Sequence, residues 1–226
     1  ISEIKAYTDD AFTGFVTNIA GDWSASAGSW SEISDGMLGN NEGLGDVFYL
    51  STQRCSSGIP FILEGDISLQ SGTAAGIVFG ITDASSPQNC WYCVNVDKQQ
   101  QITKLFKNTG SQAWEAGRKL TSDEIEKTDF SIKLVYLGNG RLSYYLDGAY
   151  VASHQDISFV GGNMGIMTFG SQAVFSKLEF TEISVPKLSG LSLSGADLKE
   201  DFSEDVFAYS AVVPYETASI TVTASA

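Results

Sequence analysis

Basic residues are scarce in this sequence: 13 Lys and Arg stand against 27 Asp and Glu, a formal net charge of −14 over 226 residues. Such a surface repels nucleic-acid phosphates and anionic headgroups, so no nucleic acid and no membrane is expected as a partner; neutral glycans and cations remain. Long apolar runs are also missing, none approaching the roughly 20 residues that span a bilayer. Helical patterning is nearly absent, and only TSDEIEKTDF (121–130) has the acidic start and polar spacing of a short helix. The one histidine, His154, has no recognisable nucleophile elbow to serve, which leaves no signal for triad chemistry. Three cysteines cannot all pair. Cys90 and Cys93 form a lone C-x-x-C inside a strand pattern, without the second Cys/His pair of a zinc site or the helix start of a redox site. Buried thiols are expected, with one disulfide through Cys55 as the alternative. The chain begins at Ile1 with neither an initiator Met nor a basic-then-apolar leader, so a signal peptide or a longer parent is expected to precede it.

What is present is a succession of short alternating runs punctuated by turn chemistry, with 23 glycines against 4 prolines. Asn139-Gly140 and Asp147-Gly148 are two-residue hairpin signals between SIKLVYL, RLSYYL and YVASH, which predicts a three-stranded meander over 131–153. About a dozen strands without crossover helices imply an all-β, antiparallel two-sheet sandwich, a jelly roll of the concanavalin or laminin-G type. A boundary falls near Val185-Pro186-Lys187. Residues 1–185 form the sandwich, and 186–226 change register into three short strands, too few to enclose a core. They read as a partial second β-sandwich.

Two stretches carry the functional signal. In FILEGDISLQSGTAAGIVFGI (61–81), Phe61, Leu63, Ile67 and Leu69 share one face, and Ile62, Glu64, Asp66 and Ser68 the other. In NCWYCVNVDKQQQITKLFK (89–107), Tyr92, Val94 and Val96 alternate with Trp91, Cys93, Asn95 and Asp97. If both polar faces lie on one accessible sheet, Glu64, Asn95 and Asp97 offer the acceptors and donors that vicinal diols require. Trp91 has outward parity and Phe169 ends a strand beside Gly170, so these two are the expected ring-stacking residues; Trp23 and Trp30 are expected in the core. Glu64 and Asp66 at i and i+2 match part of the E-x-D-x-x-E trio of retaining glycosidases, but Ser68, Leu69 and Gln70 follow and the third acid is missing. Asp9, Asp10, Asp22 and Asp35 lie in turns near the N-terminus and could ligate a structural calcium ion, though without EF-hand spacing. A glycoside hydrolase using Glu64 and Asp66, and an adhesion sandwich with a protein partner, are the competing readings.

The order of DWSASAGSWSEISDGMLGN, GDVFYLS, FILEGDISL, AAGIVFGI, WYCVNVD, KLFK, YYLDG, FVGGNMGIMTF and AVFSKLEF resembles the family 66 carbohydrate-binding modules of levanase-type family 32 glycoside hydrolases, over about residues 8–183. The tail, with LSGLSLSGADL, DFSEDVFAYSAVV and ITVTASA, is similar to the opening of a bacterial cadherin-like repeat, a spacer in large secreted enzymes. The first resemblance implies a non-catalytic jelly roll that binds terminal fructose of a fructan and needs no cofactor. It also implies a covalently linked catalytic domain in a bacterial protein that is secreted or attached to the cell wall. Matched motif by motif, the family's acidic residue on the first core strand falls on Glu64, its Asn-Val-Asp on Asn95, Val96 and Asp97, and its Gly-Asp before the Phe-Tyr-Leu-Ser strand on Asp46. The chain departs from the pattern at Gly80, where the family implies an arginine, at Thr82, where it implies an acid, and at Phe169-Gly170, where it implies Trp-Asp.

Overall fold

The computed structural model describes residues 15–183, 189–203 and 209–225. The chain divides into two compact units, residues 1–183 and 184–226. The first is built from β1 (Val16–Thr17), β2 (Trp23–Ala25), β3 (Trp30–Ile33), β4 (Gly36–Asn40), β5 (Asp46–Ser56), β6 (Phe61–Ile81), β7 (Trp91–Asp97), β8 (Ile102–Asn108), β9 (Gln112–Lys119), α1 (Ser122–Glu126), β10 (Asp129–Tyr136), β11 (Arg141–Leu146), β12 (Ala149–Gln155) and β13 (Gly161–Glu182). Among the described residues the second carries an antiparallel pair, β14 (Gly190–Leu193) with β15 (Val222–Ser225), and an isolated bridge between Leu198 and Ala211.

Two strands organise the first unit. β6 and β13 run antiparallel along almost their whole lengths, from Phe61↔Glu182 to Ile81↔Asn163. Their ends at Phe61–Leu69 and Ala173–Glu182 belong to layer 1, whose order is β12-β11-β10-β6-β13-β4-β3. Their other ends belong to layer 2, which runs β9-β8-β7-β6-β13-β5-β2. The corner is turned at Gly72 (φ 86°) and Gly170 (φ 53°), next to a register shift at Gln172/Ala173. A Cβ on Gly72 would overlap the carbonyl oxygen of Gly170, so glycine is what lets the two strands bend together.

The main core lies between the layers. Phe61, Leu63, Ile67 and Leu69 on one half of β6, Ile77 and Phe79 on the other, meet Tyr92, Val94, Leu105, Ile132, Leu134, Tyr144, Ile166 and Phe175. The alternation read from 61–69 is reproduced residue by residue, odd positions buried and even ones partly exposed. The meander forms as predicted, and Asp147-Gly148 is the expected two-residue turn between Leu146 and Ala149. The β10–β11 connection is longer than two residues: its last strand pair is Tyr136↔Leu142, with Gly138, Asn139 and Gly140 inside the Leu137–Arg141 closure. The predicted helix is one short turn, closed by a capping box in which Thr121 and Glu124 satisfy each other's backbone N–H groups. Trp23 and Trp30 pack against the core on either side of Tyr49, stacked at 5.4 Å each.

At one edge the layers are clamped through a single carboxylate. Asp156, just past β12, accepts from Tyr92 Oη (2.9 Å), Lys107 Nζ (3.1 Å), Trp114 Nε1 (3.1 Å) and Ser158 N (2.8 Å). His154 stacks on Trp114 at 3.8 Å. The lone histidine is therefore a packing residue that faces an indole.

The three cysteines are free, so no disulfide runs through Cys55. Burial pushes the Cys55 thiol up to about 11 and the Cys93 thiol well above its usual range.

Candidate functional site

Register assembles much of the expected site on the outer face of layer 2. Phe169 lies opposite Asp46 on one side and Ala74 on the other, and Ala74 lies opposite Asp97. The next row on the same face runs Phe48, Met167, Gly76, Asn95 and Lys104. At roughly 4.8 Å per strand, Asp46 and Asp97 stand about 14 Å apart with Phe169 between them, a span suited to one or two sugar rings.

The accessible part of this face is its rim at the corner. Phe169 is 40% exposed and Leu44 46% exposed. Gly170 leaves open space beside them, since a Cβ there would meet only Leu44 O and Thr73 Oγ1, both at 3.5 Å. Asp46 is half-buried at this rim, and its side chain takes no hydrogen bond from any described residue. Burial raises its pKa, the signature of a carboxylate stripped of water without a compensating donor.

Asn95 lies deeper. It is 4% exposed, and its Oδ1 is a buried side-chain acceptor without a partner. Gly76 lets it sit close to β6, because a Cβ there would lie 2.8 Å from that of Asn95. Its cross-strand neighbour Lys104 turns away to Glu115 (2.9 Å). Asp97, also 4% exposed, uses Oδ1 to accept from Gln100 N (2.7 Å) and so starts the turn into the glutamine run.

Two expectations fail. Glu64 does not share a surface with Asn95. It projects from the layer 1 half of β6, opposite Lys133 and Glu179, and pairs with Lys133 Nζ at 3.2 Å. The reason is that β6 spans both layers: parity fixes which face a residue takes but not which layer its segment joins. Trp91 is the second failure. It has the outward parity expected but is only 1% exposed, because the outer face of layer 2 carries its own apolar cluster of Phe48, Leu50, Val78, Cys93, Phe106 and Met167. Phe48 and Phe106 meet the indole edge-on at 5.1 Å. A clue lay in WYCVNVD itself, where outward positions held by Trp and Cys belong to a strand buried on both faces.

Gly80 is likewise structural. It sits at φ 65° with the rings of Tyr92 and Phe159 within 2.8 Å of where a Cβ would stand, so packing has closed that position to an arginine. Sequence reasoning missed Leu44 and Lys104, and it also missed an accessible cleft on layer 1. Among the described residues no three His, Cys, Asp or Glu side chains stand together as a metal site; Asp9 and Asp10 lie outside those residues.

The fold is that of the lectin-like β-sandwiches. It superposes on a legume lectin-like domain from Entamoeba histolytica with a TM-score of 0.54 at 11% identity, covering 79% of this chain and all of that one. A second match is more specific. The carbohydrate-binding module of family 66 from Bacillus subtilis superposes with a TM-score of 0.62 at 26% identity, over 74% of this chain and 98% of that module. In sequence, the chain is 26% identical over 183 residues to a fructan beta-fructosidase of Streptococcus mutans, spanning 73% of this chain and 12% of that protein's length. No family model matches. The resemblance to family 66 modules of levanase-type enzymes is thus supported by one sequence relative and one solved structure. The two-sheet antiparallel sandwich is the fold observed.

Proposed function

We propose that residues 1–183 are a carbohydrate-binding module of a fructan-degrading enzyme, holding a terminal fructose or a related sugar at the Phe169–Asp46 rim. The observation that carries this reading is the joint match to a family 66 module and to a segment of a fructan beta-fructosidase. The rim adds an exposed ring for the C–H face of a sugar and a partly desolvated carboxylate for its hydroxyls. Asp97 and Asn95 support this rim from the same face, Asp97 by fixing the turn after β7 and Asn95 from beneath the surface. Because the chain spans 12% of its relative, a catalytic domain is the natural neighbour in the parent protein, with residues 184–226 as a cadherin-like spacer and an extracellular site of action. A calcium ion is not required by this chemistry.

Single-site affinity for so shallow a rim falls in the micromolar to millimolar range, about 4 to 8 kcal/mol. Isothermal titration with fructose, inulin and levan tests the reading. Binding heat with at least one, weakened about tenfold or more in Phe169→Ala or Asp46→Asn, is the expected result. Absence of heat with all three refutes it.

A further inference from the structure

The outer face of layer 1 is a second accessible surface, and it is built differently from the rim. One row across it reads Tyr150, Tyr145, Lys133, Glu64 and Glu179, each residue opposite the next. The adjoining row carries Ser131 opposite Asp66 opposite Lys177. Between these rows and the β11–β12 turn lies a cleft of about 430 Å³ lined by Asp66, Ser68, Asp129, Ser131, Asp147 and Ser176. Tyr150 is 57% exposed although it sits within an edge strand, and it meets Tyr145 edge-on at 5.8 Å. Its hydroxyl donates to Ser153 Oγ (3.1 Å), a group that also accepts from Arg141 Nη2 (3.3 Å), so the ring is held in place.

Charge is balanced along the tyrosine row, while the cleft keeps two carboxylates, Asp66 and Asp129, outside any ion pair among the described residues. Glu64 pairs with Lys133, Glu179 with Lys177 at 3.6 Å, and Asp147 with Lys127 at 2.6 Å. A face of paired charges, hydroxyls, two carboxylates without an ion pair and one fixed aromatic pair repels anions and offers acceptors to hydroxyl groups. It suits an uncharged chain that alternates hydroxyl edges with C–H patches.

We infer that this face is a second glycan-contact surface, which takes an internal stretch of the same neutral polysaccharide whose chain end the rim holds. Tyr145 and Tyr150 stack on one ring, and the serine–aspartate cleft receives hydroxyls of the next. The inference rests on the proposed function for the ligand class but not for the site. Because the two faces look away from each other, each short contact adds avidity on a polymer and none on a monosaccharide.

The experiment uses the full chain with levan in affinity gel electrophoresis and free fructose in titration calorimetry. Tyr145→Ala/Tyr150→Ala, with an unchanged thermal melt as its folding control, is expected to weaken levan retention about fivefold to tenfold and to leave the fructose heat intact. Phe169→Ala is expected to reduce the fructose heat. Levan retention equal to wild type in the tyrosine variant, with Phe169→Ala still impaired, overturns the second surface and spares the first. A tyrosine variant that loses fructose heat and levan retention in parallel also overturns it, since the face is then not separate. Wild type that binds neither ligand refutes the proposed function and this surface with it.

Discussion

Removing the Asp156 carboxylate tests how the two layers are held together. In Asp156→Ala, five donors lose their acceptor at once: the Ser158 backbone N–H and hydroxyl, Tyr92 Oη, Trp114 Nε1 and the Lys107 ammonium, whose side chain is only 12% exposed. Burial alone would raise the Asp156 pKa, but the hydrogen bonds from Ser158, Tyr92 and Lys107 outweigh it and hold the group well below the usual carboxylate range. Leaving one member of such a pair behind costs about 3–5 kcal/mol. Lys107 keeps its bond to Ser158 Oγ at 2.7 Å, which places the expectation at the lower end of that range. For a domain of this size each kcal/mol lowers the midpoint by about 2–4 °C, so Asp156→Ala should melt about 6–12 °C below wild type. Urea unfolding followed by tryptophan fluorescence measures the same loss. Adding Lys107→Met to Asp156→Ala should recover part of it, since the stranded charge is then gone. A loss below about 1 kcal/mol, or a double variant no better than the single, refutes the clamp.

Two further outcomes follow from named groups. Arg118 holds Glu124 through two 2.7 Å hydrogen bonds and, with the capping box, lowers its pKa to about 2. Because the folded value lies below the unfolded one, this contribution is complete above about pH 4.5 and fades as pH falls towards 2. Glu124→Gln should therefore cost about 1 kcal/mol in urea unfolding at pH 7 and nearly nothing at pH 2, and an equal cost at both refutes the pairing. Iodoacetamide at pH 8 should modify Cys90 in the folded protein, and reach Cys55 and Cys93 only in urea; mass spectrometry that finds Cys93 labelled without denaturant contradicts its burial.

Face assignment was legible in the residues wherever one side of a strand meets water. Phe61 to Leu69 and the 131–153 meander show this, because period-two alternation records burial on a single side. Layer assignment was not. Glycine at 72 reads as a turn, yet it bends one continuous strand around a corner, so Glu64 and Ala74 share a strand and not a layer. Trp91 shows a second limit: parity gives direction, but whether the outward side is covered depends on Phe48 and Met167, which are distant in sequence. Of the expected contact residues, register brings Asp46, Phe169, Asp97 and Asn95 to one end of one face and sets Glu64 on the other layer. The tyrosine pair could not be anticipated because the irregular register between Tyr144 and Tyr145 decides that Tyr150 meets Tyr145.

The corner at Gly72 and Gly170 also has a mechanical meaning. A pair of ribbons common to both walls makes the walls one object: neither can peel off while the other stays folded, since the same backbone hydrogen bonds would have to break along a shared seam. A load applied where β13 ends at Glu182 enters that seam directly, so the strand leading out to the second unit is also the one most deeply laced into the first.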